Sequence, residues 1–324
     1  MESQGLFEEN KVKINKKNYF ISVVAPAYNE QDNIYPFYER VKKVLDDITD
    51  KWEIVCINDG SKDKTLEILV ELNSKDNRVK VIDLSRNFGK EIALTAGLDN
   101  CKGDLIIPID IDLQDPPELI PEMIKLWEQG NNVVYATRIK REGETFIKKF
   151  TAYMFYKFIN KITNINIPRN TGDFRLIDRK VLDSLKELRE THRFMKGLFS
   201  WVGFNQVSLP YVREKRFAGN TKFNYWKLWN FAIEGITSFS IAPLKFATYF
   251  GFFVSLFAAV FAIYIISKTL IYGSDVPGYP SLMVTILFLG GIQLITIGII
   301  GEYIGRIYNE VKHRPLYFIK NKYD

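Results

Sequence analysis

The chain has 324 residues, 47% hydrophobic and 25% charged, with 44 Lys and Arg against 38 Asp and Glu. That balance excludes a disordered or fibrous chain, and the length leaves room for one large domain plus a smaller unit. The excess of six positive charges suits anionic lipid or phosphate ligands, and no basic-aromatic module of the nucleic-acid-binding kind is present.

Residues 1–19 read as a polar, charged tail without the apolar core of a signal peptide. Tyr19 to Ala25 is an apolar, β-branched strand, expected to stop at Pro26, and Asn33 to Leu45 has helical spacing. Trp52 to Asp59 is a second strand, followed by a helix from Lys64 to Asn73 whose start is marked by Ser61 and Asp63. Val79 to Ser85 is a third strand with a helix, Lys90 to Asn100, behind it. A fourth strand lies in Leu105 to Ile109, then a helix from Pro117 to Glu128, then a fifth strand from Asn132 to Arg138. Strands alternating with helices predict an α/β fold with a mostly parallel sheet covered by helices on both faces.

The fourth strand contains a conflict. Its apolar run suits burial on both faces, yet it leads straight into Asp110, Asp112, Gln114 and Asp115, closed by Pro116 and Pro117. Unpaired buried charge is costly, so a cation belongs there. In such sheets ligands sit beyond the carboxyl ends of the strands. The other ends carry Pro26 to Glu30, Asn58 to Ser61, Ser85 to Lys90, and Arg138, so polar and turn-forming groups converge on one edge. Carboxylates with a carboxamide suit a hard cation, Mg²⁺ or Mn²⁺, beside a phosphate. Dinucleotide and P-loop glycine motifs are absent, and two histidines give little basis for imidazole metal clusters or His-dependent triads.

Beyond about residue 245 the chain changes character. Phe246 to Ser267 and Val276 to Gly301 are runs of 22 and 26 residues without Asp, Glu, Lys or Arg, long enough to cross a bilayer core of ~30 Å. Lys222, Lys227 and Lys245 precede them and Arg306, Lys312 and Arg314 follow, whereas the linker Ile271 to Pro280 carries only Asp275. The positive-inside rule puts both ends in the cytoplasm; Lys268, at the outer end of the first run, is a mild exception that snorkelling absorbs. Cys56 and Cys101 then lie on the cytoplasmic side, where no structural disulfide is expected. Ahead of the first run, Trp226, Trp229, Ile233 and Ile236 share one helical face beside Lys227. They read as a helix lying in the membrane interface, with packing onto the preceding domain as the alternative.

The segments "VVAPAYNE", "INDGSKDKT", "LSRNFGKEIALTAGLDNCKGD", "IDIDLQDPPE" and "NTGDFRLIDR" stand in the order of glycosyltransferase family two. With "DLQDPP" and a C-terminal membrane hairpin, the chain resembles the polyisoprenyl-phosphate branch, which includes dolichol-phosphate mannose synthases and bacterial glucosyl-carrier enzymes. The resemblance runs from about residue 20 to about residue 315, and the Q-x-x-R-W mark of processive polysaccharide synthases is absent. It implies an A-type glycosyltransferase fold in residues 20–222, an interfacial region at 223–245, transmembrane helices at 246–271 and 280–305, and a cytoplasmic basic tail at 306–324. It implies inverting transfer of a sugar, glucose from UDP-glucose in the first instance, from a nucleotide sugar to a polyprenyl phosphate.

By position, the resemblance implies that Pro26, Tyr28 and Glu30 flank the nucleotide base and ribose and that Asp59 binds the base with Ser61 close by. Arg86 and Lys90 would approach the nucleotide side, while Asp110, Asp112 and Gln114 would hold the metal and diphosphate. Where relatives have a second aspartate this chain has Asn58, to which no role is given. An ionised phosphate acceptor needs no strong general base; Asp173 is left between a base and an ion pair with Arg175. The acceptor's charge needs cations, for which Arg138, Lys148, Arg216 and Lys222 are the candidates. Gly290, Gly291, Gly298 and the Gly301 to Gly305 stretch permit close helix contact, and the resemblance implies a homo-oligomer through the hairpin. The rivals are the same reaction with mannose, an amino-pentose or an N-acetylhexosamine, and a membrane-tethered nucleotide-sugar sensor or scaffold without turnover.

Overall fold

The computed structural model describes residues 18–139, 168, 170–212, 237, 240–273 and 278–324. Its centre is one eight-stranded sheet in the order β7-β5-β6-β4-β1-β2-β3-β8. The strands are β1 (Ile21–Ala27), β2 (Trp52–Asn58), β3 (Val79–Leu84), β4 (Leu105–Pro108), β5 (Val133–Arg138), β6 (Thr171–Asp178), β7 (Gln206–Tyr211) and β8 (Ile319–Tyr323). The helices are α1 (Ile34–Ile48), α2 (Thr65–Lys75), α3 (Lys90–Asn100), α4 (Ile120–Glu128), α5 (Arg179–Glu187), α6 (Met195–Trp201), α7 (Ala242–Tyr272) and α8 (Tyr279–Val311), with a 3₁₀ turn at Pro117–Leu119 ahead of α4.

Side chains alternate across a strand, and the sheet is covered on both sides, so successive β1 residues enter different cores. Ile21, Val23 and Ala25 pack with the buried faces of α1, α2 and α4, whereas Val24 joins Val55 and Ile57 against α3, α5 and α6. The buried residues of α1 (Ile34, Phe37, Tyr38, Val41, Leu45 and Ile48) recur at helical spacing, which is why this segment coils instead of extending. Helix α5 starts at Asp178, whose carboxylate accepts the Val181 amide at 2.9 Å. Cys56 and Cys101 are buried and unbridged.

Three expectations need correction. Pro26 does not end the first strand; it pairs with Ile57 inside β1. The Ile109 amide donates to Val24, so alternate polar groups of β1 face β4, which has ended by the level of Pro26. The missing N–H therefore costs no ladder bond. Second, β5 does not extend a parallel series, because β6 runs antiparallel between β4 and β5. The sheet is mixed, and parallel pairing persists in β1–β2, β1–β4, β2–β3 and β5–β7. Third, the C-terminal segment is more than a tail: β8 pairs antiparallel with β3 at the edge of the sheet.

Helices α7 and α8 are long and apolar enough to cross a membrane. They form a hairpin whose side chains face outward, Phe257 being 72% and Leu294 72% exposed, unlike the buried core of the sheet. Both helices run past the charge-free segments, with α7 starting at Ala242 and α8 reaching Val311. Trp226 and the rest of the expected interfacial helix before residue 237 lie outside the described residues, as do Lys148, Arg216 and Lys222.

Candidate active site

The parallel strands end at one edge, and each end is turned by a short polar loop. Asn29, in the left-handed region at φ 55°, gives its amide to Ser61 Oγ at 3.0 Å and accepts the Lys62 amide at 2.8 Å. The loops after β1 and β2 are thereby zipped together beside Pro26, Tyr28 and Glu30. Gly60 has φ +64°, and a Cβ there would meet the Asn87 amide nitrogen at 2.6 Å; only glycine lets the third loop come so close. Asp59 is buried, and its two oxygens accept the amides of Phe88 at 2.7 Å and Gly89 at 3.0 Å. In this structure Asp59 therefore shapes the loop that carries Arg86 and Lys90. Asn58, given no role from sequence, donates to the buried carboxylate of Asp83 at 2.7 Å.

Helix α3 begins at the centre of the edge. Lys90 Nζ lies 2.7 Å from Asp110 Oδ1 and 2.6 Å from Asp173 Oδ2. Of the two readings of Asp173, the ion pair with Arg175 is not formed; Arg175 instead donates to the carbonyls of Gly172 and Asp173 and lies over the Phe199 ring. Because β6 is antiparallel, its beginning reaches the edge where the parallel strands finish, and that is how Asp173 meets Asp110. Burial works against the Lys90 charge, but Asp110 and Asp173 outweigh it and hold the amine well above its ordinary value. Burial pushes Asp110 up. For Asp173 burial is outweighed by Lys90, then Lys196, so it stays below the carboxylate range. Asp173 Oδ1 is buried with no hydrogen-bond partner among the described residues.

Asp112 is 6% exposed, and its Oδ1 accepts the Gln114 amide at 3.2 Å across Leu113, which adopts φ 58°. Leucine in that region is strained by ~1–3 kcal/mol, a feature concentrated at functional sites. Asp110, Asp112 and Gln114 bring two carboxylates and a carboxamide, the hard oxygen chemistry that suits Mg²⁺ or Mn²⁺, and in this structure both Asp110 oxygens are engaged by Lys90 Nζ, at 2.7 and 2.8 Å. Among the described residues no three His, Cys, Asp or Glu side chains converge as a protein-only metal cage.

Arg138 ends β5 at the same edge. Its Nε donates to Tyr211 Oη at 3.1 Å and its Nη2 lies 3.5 Å from Asp115 Oδ1. Tyr211 Oη also donates to Asp115. Asp115, Gly172 and Tyr211 were not singled out from sequence; Asp115 was legible only as one member of the acidic cluster.

Glu91 follows Lys90 and accepts the Met195 amide at 3.1 Å. Burial, then the charge of Asp173, push its carboxyl from 4.5 up to about 7. The native protein therefore keeps this proton where the unfolded chain has released it. The associated stability is fully present below about pH 4.5 and is lost as pH rises through about 7. Across that window the melting temperature of the wild type is expected to fall relative to Glu91→Gln, read by thermal unfolding in detergent; parallel curves would rule out the buried proton.

The family model and the curated relatives identify the chain as a glycosyltransferase. The chain belongs to glycosyl transferase family 2, whose model matches residues 22–186, and a model of the GtrB C-terminal hairpin matches residues 242–307. It is 56% identical, over 93% of this chain and 95% of the relative, to an uncharacterized glycosyltransferase of Synechocystis. It is 51% identical to the bactoprenol glucosyl transferase of Shigella phage SfV, over 93% of this chain and 98% of that one. Among solved structures, a Pyrobaculum calidifontis mannosyltransferase in complex with GDP-Man and Mn²⁺ aligns with TM-score 0.47 and 16% identity, over 92% of this chain and 89% of that one.

Proposed function

We propose that the protein transfers glucose from UDP-glucose, with inversion, onto the phosphate of a membrane polyprenyl carrier. The observation that carries this reading is the meeting, at one sheet edge, of the Asp110–Gln114 loop and the partly buried Arg138, in a chain with a long apolar hairpin. Relatives named bactoprenol glucosyl transferases, near half identical over almost the whole chain, support the choice of sugar and carrier.

In this reading Pro26, Tyr28, Glu30, Asp59 and Ser61 line the nucleotide side, with Arg86 nearby. Asp110, Asp112 and Gln114 would hold Mg²⁺ or Mn²⁺ with the diphosphate. When bound, the ion supplies Lewis-acid stabilisation of the leaving group. An oxygen of the lipid phosphate attacks the anomeric carbon as the bond to the nucleoside diphosphate breaks. Arg138 orients that phosphate, with Lys148, Arg216 and Lys222 as further cations. Because the nucleophile is already ionised, no residue has to abstract a proton. Asp173 then serves to hold Lys90 and the Asp110 side of the site rather than as a base.

Helices α7 and α8 cross the cytoplasmic membrane as a hairpin, with the catalytic domain and both ends inside. The lysines and arginines flanking the helices, and β8, which returns to the sheet directly after α8, support this orientation. Glycines along α8 have open space around them in this structure, so close contact through them would be with a second subunit of a homo-oligomer rather than with α7.

Gly172 offers a local test. A Cβ there would sit 2.7 Å from Arg138 Nη2, the far end of a flexible side chain. Gly172→Ala should move the guanidinium, and misplacement of ~1 Å costs up to about a hundredfold in rate. A folded variant with transfer strongly reduced is expected; full activity in a folded variant would take Arg138 away from the acceptor. The reading as a whole is tested by incubating membranes with labelled UDP-glucose and polyprenyl phosphate, with other sugar nucleotides in parallel. Labelled lipid formed from UDP-glucose supports it, lipid formed only from another sugar corrects the donor, and binding without turnover returns the protein to a sensor or scaffold.

A further inference from the structure

We propose that Asp115 and Tyr211 are positioning residues that fix Arg138 and tie the acceptor side of the site to the donor loop. The proposal rests on the reading of Arg138 as the acceptor-phosphate cation. Asp115 is 1% and Tyr211 5% exposed, so neither is placed to touch a substrate. Any effect they have on transfer runs through Arg138, whose side chain is 13% exposed.

The three groups come from three elements. Asp115 directly follows Gln114 in the loop after β4, Arg138 closes β5, and Tyr211 closes β7 opposite Arg138 in the parallel register. A carboxylate as buried as Asp115 is costly unless partnered, and here its Oδ1 meets both the Tyr211 hydroxyl and the guanidinium. Tyr211 Oη in turn accepts from Arg138 Nε. Two positions of the rigid guanidinium fork are thus held from within the protein, while Nη1 makes no hydrogen bond among the described residues. Burial works against the Arg138 charge, but Asp115, Tyr211 and Asp110 together outweigh it, so the group stays protonated throughout the working range. A guanidinium held on one side presents its other side without losing side-chain freedom at binding, which is how preorganisation raises affinity. The Asp115 link also means that any movement of the Asp110–Gln114 loop is passed to Arg138.

A purely structural role, tying β7 to the sheet, would change stability and all kinetic constants together. Positioning would change acceptor KM. The experiment uses the full-length protein in detergent with UDP-glucose and polyprenyl phosphate, and compares Tyr211→Phe, Asp115→Asn and Arg138→Lys. Tyr211→Phe removes one oxygen and should raise acceptor KM about tenfold, the scale of one hydrogen bond to a charged group. Binding of UDP with Mn²⁺, measured by calorimetry, should be unchanged, and combining Tyr211→Phe with Arg138→Lys should add little, since one acts through the other. Asp115→Asn should show the same pattern, so a fold defect in one variant leaves the other to decide. If Arg138→Lys raises acceptor KM and the two folded variants do not, or if the effects simply multiply, the positioning role is wrong and the acceptor reading survives. If Arg138→Lys leaves acceptor KM unchanged, the acceptor reading itself fails.

Discussion

Asp112→Ala is expected to reduce sugar transfer at least a hundredfold, by removing an anion that would hold the metal diphosphate. Losing one electrostatic contact to developing charge in a water-poor site costs roughly 10²–10³ in rate. Asp112 suits that role because it is 6% exposed, close to Asp110 in sequence, and held by its bond to the Gln114 amide. The alanine variant also loses that bond, which could let the strained Leu113 turn relax. Asp112→Asn separates the two effects, since its carboxamide oxygen can still accept from Gln114. If Asn restores activity, Asp112 shapes the turn; if both variants are equally inactive while folded, its charge is required. Chelation of divalent ions should copy the alanine variant in the wild type, and Mn²⁺ or Mg²⁺ should reverse it. Full transfer in a chelator would remove the metal from the mechanism.

The second large effect concerns the hairpin. Truncation after about Lys222 would discard β8 along with α7 and α8, exposing the β3 edge and removing the Tyr317 hydroxyl that donates to Asp99 at 2.9 Å. A cleaner variant replaces residues 242–311 with a soluble linker and keeps β8. It should still bind UDP with Mn²⁺, because the residues proposed to hold nucleotide and metal belong to loops that the sheet positions. Its transfer to a long polyprenyl phosphate should fall by orders of magnitude. The lipid cannot leave the bilayer cheaply, at ~0.8 kcal/mol per CH₂ brought into water. The cleft must therefore meet the phosphate at the surface, in an orientation that the hairpin supplies. Turnover at the full-length rate would reduce α7 and α8 to a tether.

The parts of this architecture written in local periodicity were legible. Strands β1 to β5, helices α1 to α4 and the two long apolar helices announce themselves by apolar spacing and by turn residues at their ends. The edge where their loops converge followed from the parallel alternation alone. Strand β6 was not legible as a sheet member. "TGDFRLID" could be matched to a motif, but its pairing with β4 and β5 depends on residues distant in sequence. Pro26 misled because proline looks like a stop, and only the shortness of β4 makes it harmless. Lys90 was placed on the nucleotide side, and its bridge to Asp110 and Asp173 appeared only when antiparallel β6 brought Asp173 round. Tyr211 gave no signal: a tyrosine closing a short strand is ordinary until Asp115 is found beside it.

The position of β8 has a consequence for biogenesis. The strand leaves the ribosome only after both α7 and α8, yet it lies against β3, whose residues are made more than two hundred positions earlier. Ser85 then donates to the Phe318 carbonyl at 2.9 Å, and Asn321 reaches toward the same Asp83 that Asn58 holds. If the hairpin enters the bilayer as proposed, the β3 edge must wait, unpaired, during that step of synthesis. If one helix failed to insert, or inserted with the wrong polarity, β8 would emerge on the opposite side and the sheet could not be completed. An open β3 edge is the kind of surface that chaperones and proteases recognise. Mis-inserted chains would thereby be marked for removal by an unfinished sheet, with no separate sensor of topology required.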